Sequence, residues 1–140
     1  MTTRSGWDVS LLAAGILTGC MGLYHFFLPA QFGWGEALAR DRMLHWALLS
    51  INTFFSYLLL AGGVLTVRIA REPRPRGPVS TLVLISMTGF WLLNAAYQLL
   101  APMPLPARLA SLRWLLLAFA VIVLALYTRG LTPRREPVPR

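Results

Sequence analysis

Tyr24-His25-Phe26-Phe27-Leu28-Pro29 closes one long apolar run, and Tyr97-Gln98-Leu99-Leu100-Ala101-Pro102 closes another. After a loop, each is answered by an apolar run with a matching opening: Leu44-His45-Trp46-Ala47-Leu48-Leu49 in the first case, Leu112-Arg113-Trp114-Leu115-Leu116-Leu117 in the second. The paired phrases Y-[H/Q]-x-x-x-P and L-[H/R]-W-x-L-L define two hairpins of apolar helices, with polar residues at corresponding places. This pattern predicts an all-α integral membrane protein, a four-helix transmembrane bundle built from two parallel helical-hairpin repeats. Both hairpins run in-out-in, so their pseudo-twofold axis is expected along the membrane normal.

Hydrophobic residues make up 56% of the 140 positions and charged residues 13%, too little polar surface to solvate a globule of this size. Four runs, at about 9–28, 44–67, 79–100 and 109–127, carry almost no charge. Each has about the ~20 residues that cross a ~30 Å hydrocarbon core at 1.5 Å per residue. None shows the polar stripe of a helix packed on a soluble core. The transmembrane domain is thus expected over 1–128, followed by a disordered Arg- and Pro-rich tail over 129–140.

Every basic residue is Arg, and the net charge is +8. Arg4, Arg68, Arg71, Arg74, Arg76, Arg129, Arg134, Arg135 and Arg140 fall in the termini and the second loop; only Arg40, Arg42, Arg108 and Arg113 fall on the other side. By the positive-inside bias both termini are cytoplasmic, in a multi-pass protein of the bacterial inner membrane. The Arg residues flank helix ends without interleaved aromatics, so membrane lipid headgroups are the expected partner, and nucleic acid is not. The proline-rich loop Arg68–Pro78 reads as an extended topology anchor.

The single cysteine excludes an internal disulfide. Leu17-Thr18-Gly19-Cys20 resembles a lipobox, but the apolar run continues past it to full spanning length, so Cys20 is expected as a buried helix residue. Gly15, Gly19 and Gly22 on the first helix, and Gly62 and Gly63 on the second, read as small-residue faces for close helix contact. Pro29 is expected to end the first helix by withdrawing a backbone donor. The loop segment Gln31–Leu38 reads as a short interfacial piece with Trp34 at headgroup level.

Polar residues within the spans gather towards the outer side: Tyr24, His25, His45, Asn52, Asn94, Tyr97, Gln98 and Arg113. Such groups are costly in hydrocarbon unless they face one another, which predicts an outward-opening polar mouth and makes these eight the candidate ligand-binding residues. Arg113 has no acidic residue at its depth. It either snorkels to the headgroups or receives an anionic or carbonyl group flanked by Asn94 and Gln98. The Ser and Thr residues of the cytoplasmic half are expected to bond their own helix backbone.

His25 and His45 could ligate haem, but no carboxylate or thiolate accompanies them, and no metal site or cofactor is predicted. No nucleophile–base pair or phosphate-binding glycine loop is present, so catalysis is not expected. The four-span topology resembles that of small bacterial membrane proteins such as the DoxX-like group, with which the chain shares no diagnostic motif. Small multidrug transporters have a similar length, but this chain lacks a membrane-embedded carboxylate of the kind their proton coupling uses. The leading expectation is a membrane protein that binds a lipid-like or small amphipathic ligand, or serves as an accessory subunit, through its outer mouth. The alternatives are a haem- or redox-associated subunit using His25 and His45, and a structural subunit of a larger membrane complex whose polar groups pair with another protein or a second copy.

Overall fold

The computed structural model describes residues 7–102 and 110–132, and among them there is helix and no strand. The elements are α1 (Val9–Gln31), α2 (Trp34–Ala37), α3 (Arg42–Ile69), α4 (Pro78–Leu100) and α5 (Ala110–Leu131). The four long ones are apolar enough to cross a membrane, and the shortest has 22 residues, about 33 Å at 1.5 Å per residue. Only 17–28% of each spanning window is buried inside the protein. Phe54, Leu58, Leu93 and Leu115 are among the many large apolar side chains that face outward. Faces this apolar need lipid as their solvent, and the chain is a multi-pass membrane protein.

Local chemistry explains where the helices begin. Asp8 caps α1 through Oδ1, which accepts the Leu11 N–H at 3.3 Å, and Asp41 caps α3 by accepting the Leu44 N–H at 2.9 Å. The second cap starts α3 two residues ahead of the apolar run. Pro78 opens α4 at a position where its missing N–H costs nothing. At the other ends α3 reaches Ile69 and α5 reaches Leu131, so Arg129 and Gly130 are helical and not part of a tail. The rest of that tail, and the turn from 103 to 109, lie outside the described residues. The interfacial piece is helical over Trp34–Ala37.

Two expectations are corrected here. Pro29 does not end α1, which continues to Gln31. Cys20 is exposed on the outer face of an unbroken α1, not buried, because its neighbours Thr18 and Gly22 occupy the inward-facing positions.

α1 packs against α3 and α5, while α4 packs against α5 and, more sparsely, against α3. The α1–α3 contact is backbone on backbone. A Cβ on Gly63 would stand 2.5 Å from the Gly19 N and 2.7 Å from the Gly15 O. One on Gly22 would stand 2.6 Å from the Leu60 N. Gly19 differs, since its own Cβ would meet only the Leu60 Cδ1, at 3.9 Å.

At the end of the bundle where α1 starts, the chain is tied together by charge. The Asp8 N–H donates to the Ala70 carbonyl at 2.9 Å. Its Oδ2 accepts from Arg74 and, at 2.9 Å, from Arg76. Both arginines also donate to the Gly130 carbonyl at the end of α5, and Arg74 reaches the Thr132 carbonyl. The proline-rich loop is thus a strap that joins the start of α1 to the end of α5, with the Arg76 side chain 7% exposed. Burial alone would raise the Asp8 carboxyl, but hydrogen bonds from Arg74, Arg76 and the Leu11 N–H hold it below the ordinary aspartate range. The stability this contributes is present above the ordinary aspartate value and is lost as pH falls through the depressed one.

The glycine geometry gives an asymmetric expectation. Gly63→Ala should destabilise by about 1–3 kcal/mol or more, because the clash is with backbone that cannot turn aside. Gly19→Ala should be neutral, or stabilising by up to about 1 kcal/mol through helix propensity. Thermal unfolding in mild detergent measures both, and equal losses would mean that the helices do not meet at Gly63.

Candidate functional site

Each of the four long helices sends one side chain to a buried hydrogen-bonded junction. The Tyr127 hydroxyl of α5 lies 3.0 Å from Thr66 Oγ1 of α3 and 3.3 Å from Thr18 Oγ1 of α1. The Trp91 indole N–H of α4 donates to the same Thr18 oxygen at 3.1 Å. Thr66 also bonds the Gly62 carbonyl of its own helix at 2.7 Å. Back-bonding to their own helix, the expectation for these threonines, therefore describes only part of what Thr66 does and misses the role of Thr18. All four residues are buried, so each polar group removed from lipid has a partner.

Above this junction, towards the end that carries Pro29 and Leu100, lies a cavity of about 150 Å³. Every long helix contributes a pair of wall residues three or four apart, or a longer series at that spacing. These are Met21 and His25 from α1, Phe55 and Leu59 from α3, Trp91, Asn94 and Gln98 from α4, and Leu116 and Phe119 from α5; Phe90 completes the wall. The aromatic rings form a chain: His25 to Phe55 at 4.9 Å between centroids, Phe55 to Phe90 at 5.7 Å, Phe90 to Trp91 at 5.4 Å and Trp91 to Phe119 at 5.6 Å.

The polar part of the wall is small. Gln98 Nε2 donates to Asn94 Oδ1 at 2.6 Å, one helical turn apart, which leaves the Asn94 amide donors and the Gln98 carbonyl for another partner. His25 Nδ1 is sealed from the surface and has no hydrogen-bond partner among the described residues. A buried ring nitrogen, an amide donor and an amide acceptor thus stand around an aromatic-walled space.

His25 also anchors the site through its backbone. Its carbonyl would ordinarily accept the N–H of residue 29, which is proline and has none. Asn52 supplies the missing donor from α3, its Nδ2 reaching the His25 O at 2.8 Å. Asn52 in turn offers its own carbonyl to the buried Ser56 hydroxyl at 2.6 Å. This exchange satisfies the backbone group that Pro29 orphans and lets α1 run on to Gln31.

Of the eight residues singled out from sequence, His25, Asn94 and Gln98 line the cavity, and Asn52 braces it from behind. The others stand apart. Tyr24 is exposed with its ring edge-on to His25, and Tyr97 is 67% exposed. His45 is half-buried and is not a wall residue. Arg113 is exposed, its guanidinium 4.9 Å from the ring centre of its neighbour Trp114, and it does not reach the cavity. The aromatic walls and the Thr18–Trp91–Tyr127 junction are what sequence reasoning missed. Helical spacing held a signal for part of this, since Trp91, Asn94 and Gln98 fall on one face of α4.

No protein-family model, curated protein or solved structure matches the chain.

The pairing of Asn52 with the proline gap is open to a double-mutant cycle. Asn52→Leu should cost about 1–3 kcal/mol by leaving the part-buried His25 carbonyl unsatisfied. Pro29→Ala restores the backbone N–H and should recover most of that loss in the double variant. Additive losses in thermal unfolding would show that Asn52 does not compensate the proline.

Proposed function

We propose that this protein binds a lipid-like or small amphipathic ligand whose ring-bearing head enters the cavity and whose apolar tail leaves along the lipid-facing helices. The observation that carries the reading is the combination of size and lining. A space of about 150 Å³ suits one six-membered ring, and an apolar cavity of that size takes up benzene. Here the aromatic walls meet a few convergent polar groups, the composition typical of small-molecule sites. The free Asn94 amide and Gln98 carbonyl call for one acceptor and one donor on the ring, such as a carbonyl and a hydroxyl. A haem held between His25 and His45 would need both imidazoles on one space, and His45 is not on this one.

The two sequence repeats support the same site. Residues at equivalent positions behave alike: His25 and Gln98 both line the cavity, Tyr24 and Tyr97 are both exposed, and neither His45 nor Arg113 is a wall residue. We therefore read the bundle as two parallel hairpins, α1 with α3 and α4 with α5, related by an axis along the membrane normal. We place it in a bacterial inner membrane with both termini cytoplasmic, so that the cavity mouth faces outward.

Native mass spectrometry of the protein extracted in mild detergent should retain one ring-headed amphiphile per chain. Leu116→Trp, which fills the cavity, should abolish retention while the fold persists. Asn94→Leu with Gln98→Leu should weaken it about tenfold or more. Full occupancy in the filled variant would rule out the cavity as the binding site, and a visible haem spectrum lost in His25→Ala would favour the redox reading.

Orientation is checked separately. Reporters fused after Arg76 should read cytoplasmic and one within Gln31–Leu38 should read external. The reverse pattern would turn the mouth inward.

A further inference from the structure

At the opposite end of the bundle from the cavity, a second depression of about 330 Å³ is bounded by Asp8, Val9, Ser10, Arg74, Arg129 and Thr132. Its charge balance is uneven. The Asp8 carboxylate is shared by Arg74 and Arg76, and its other oxygen is committed to the Leu11 N–H, so one negative charge faces two guanidinium groups. Arg129 adds a third positive charge on the wall. Among the described residues, Asp8 is the acid in both of the ion pairs, and no further acid lines the depression.

The guanidinium of Arg74 is held in place before any ligand arrives. It donates to the Thr132 and Gly130 carbonyls at 2.7 and 2.9 Å as well as to Asp8, which fixes its plane at the depression wall. Ser10 lies in the first turn of α1, where a backbone N–H has no intrahelical acceptor, and carries a hydroxyl as well. Thr132 cannot help as a donor, because its hydroxyl is spent on the Arg129 carbonyl at 2.7 Å. With the apolar faces of the helices in hydrocarbon, the start of α1 and the end of α5 stand at headgroup depth, where phosphate is the abundant anion.

We propose that this depression binds a phosphate-bearing anion, with Arg74 and Arg129 as its charged donors and Ser10 as its neutral one. Arg129 has its planar fork available to match two phosphate oxygens at once, while Arg74, with three of its five N–H donors already committed, contributes its charge and a remaining N–H. The shared chemistry has two sources, a phospholipid headgroup and free phosphate. The site is independent of the cavity at the other end and stands or falls separately from it.

The test uses the full chain in detergent micelles, with native mass spectrometry and thermal unfolding as readouts. Phosphatidylglycerol is titrated in one arm and sodium phosphate in the other. A single phosphatidylglycerol retained in the presence of millimolar phosphate identifies the headgroup as the source; stabilisation by phosphate alone, with displacement of the lipid, identifies the free anion. Arg129→Gln removes a side chain with no hydrogen bond among the described residues, so the fold should survive and binding should weaken about tenfold. Arg71→Gln is the control, because Arg71 lies at the same end, 4.4 Å over the Trp7 ring, and is not on the depression wall. Its loss should leave binding unchanged. Equal weakening in the two variants would reduce the effect to diffuse surface charge and overturn the site, as would failure of both ligands to bind the unaltered chain.

Discussion

The approach of the α1 and α3 backbones at Gly63 is the constraint on which the rest of the bundle depends. Lipid tails are as apolar as leucine, so helices in a membrane gain little by hiding apolar surface from their surroundings. What holds them is close packing and hydrogen bonding, and both need backbones that can come near each other. Gly15, Gly22 and Gly63 allow that approach, and Thr18, Thr66 and Asn52 then lie within reach of partners on other helices. With a larger residue at Gly63 the two helices would stand off, and the Asn52 amide would lose the His25 carbonyl.

Polar groups are arranged in three levels along the bundle, each with a different job. Charges occupy the end where α1 starts, where Asp8 and two arginines clamp the helix ends together. Neutral hydroxyls and the Trp91 indole form the middle junction, where an ion would be costly and a hydroxyl is not. Towards the other end the amides and the imidazole leave hydrogen-bonding capacity unused, and that is where the cavity lies. A bundle built only for stability would spend such capacity on itself, as the middle level does.

The cavity owes its form to the contrast between tight and loose seams. The α1–α3 seam has glycine on both sides, while the cavity is lined by the large rings of Phe55, Phe90 and Phe119. The rings meet tilted or edge-on, the arrangements that aromatic pairs prefer, and the cavity lies among them. The Thr18–Trp91–Tyr127 junction closes the space from below and fixes the indole that forms its floor.

The sequence by itself determined that the chain crosses a membrane four times, because hydropathy and length act residue by residue and need no partner. It also marked Gly15, Gly22 and Gly63 as a face for close helix contact. Helix ends were less legible. Pro29 looked like a stop because its missing donor is visible in sequence, whereas the Asn52 amide that makes good the loss comes from a different helix. The same limit applied to the site. His25, Asn94 and Gln98 announced themselves as polar residues in apolar runs, but so did Arg113 and His45, and composition cannot tell an inward face from an outward one. Rotation of each helix about its axis decided that. It is set by which backbones pack closest, a property of pairs of helices, and so it put Trp91 and Phe55 on the cavity wall and left Arg113 lying over Trp114.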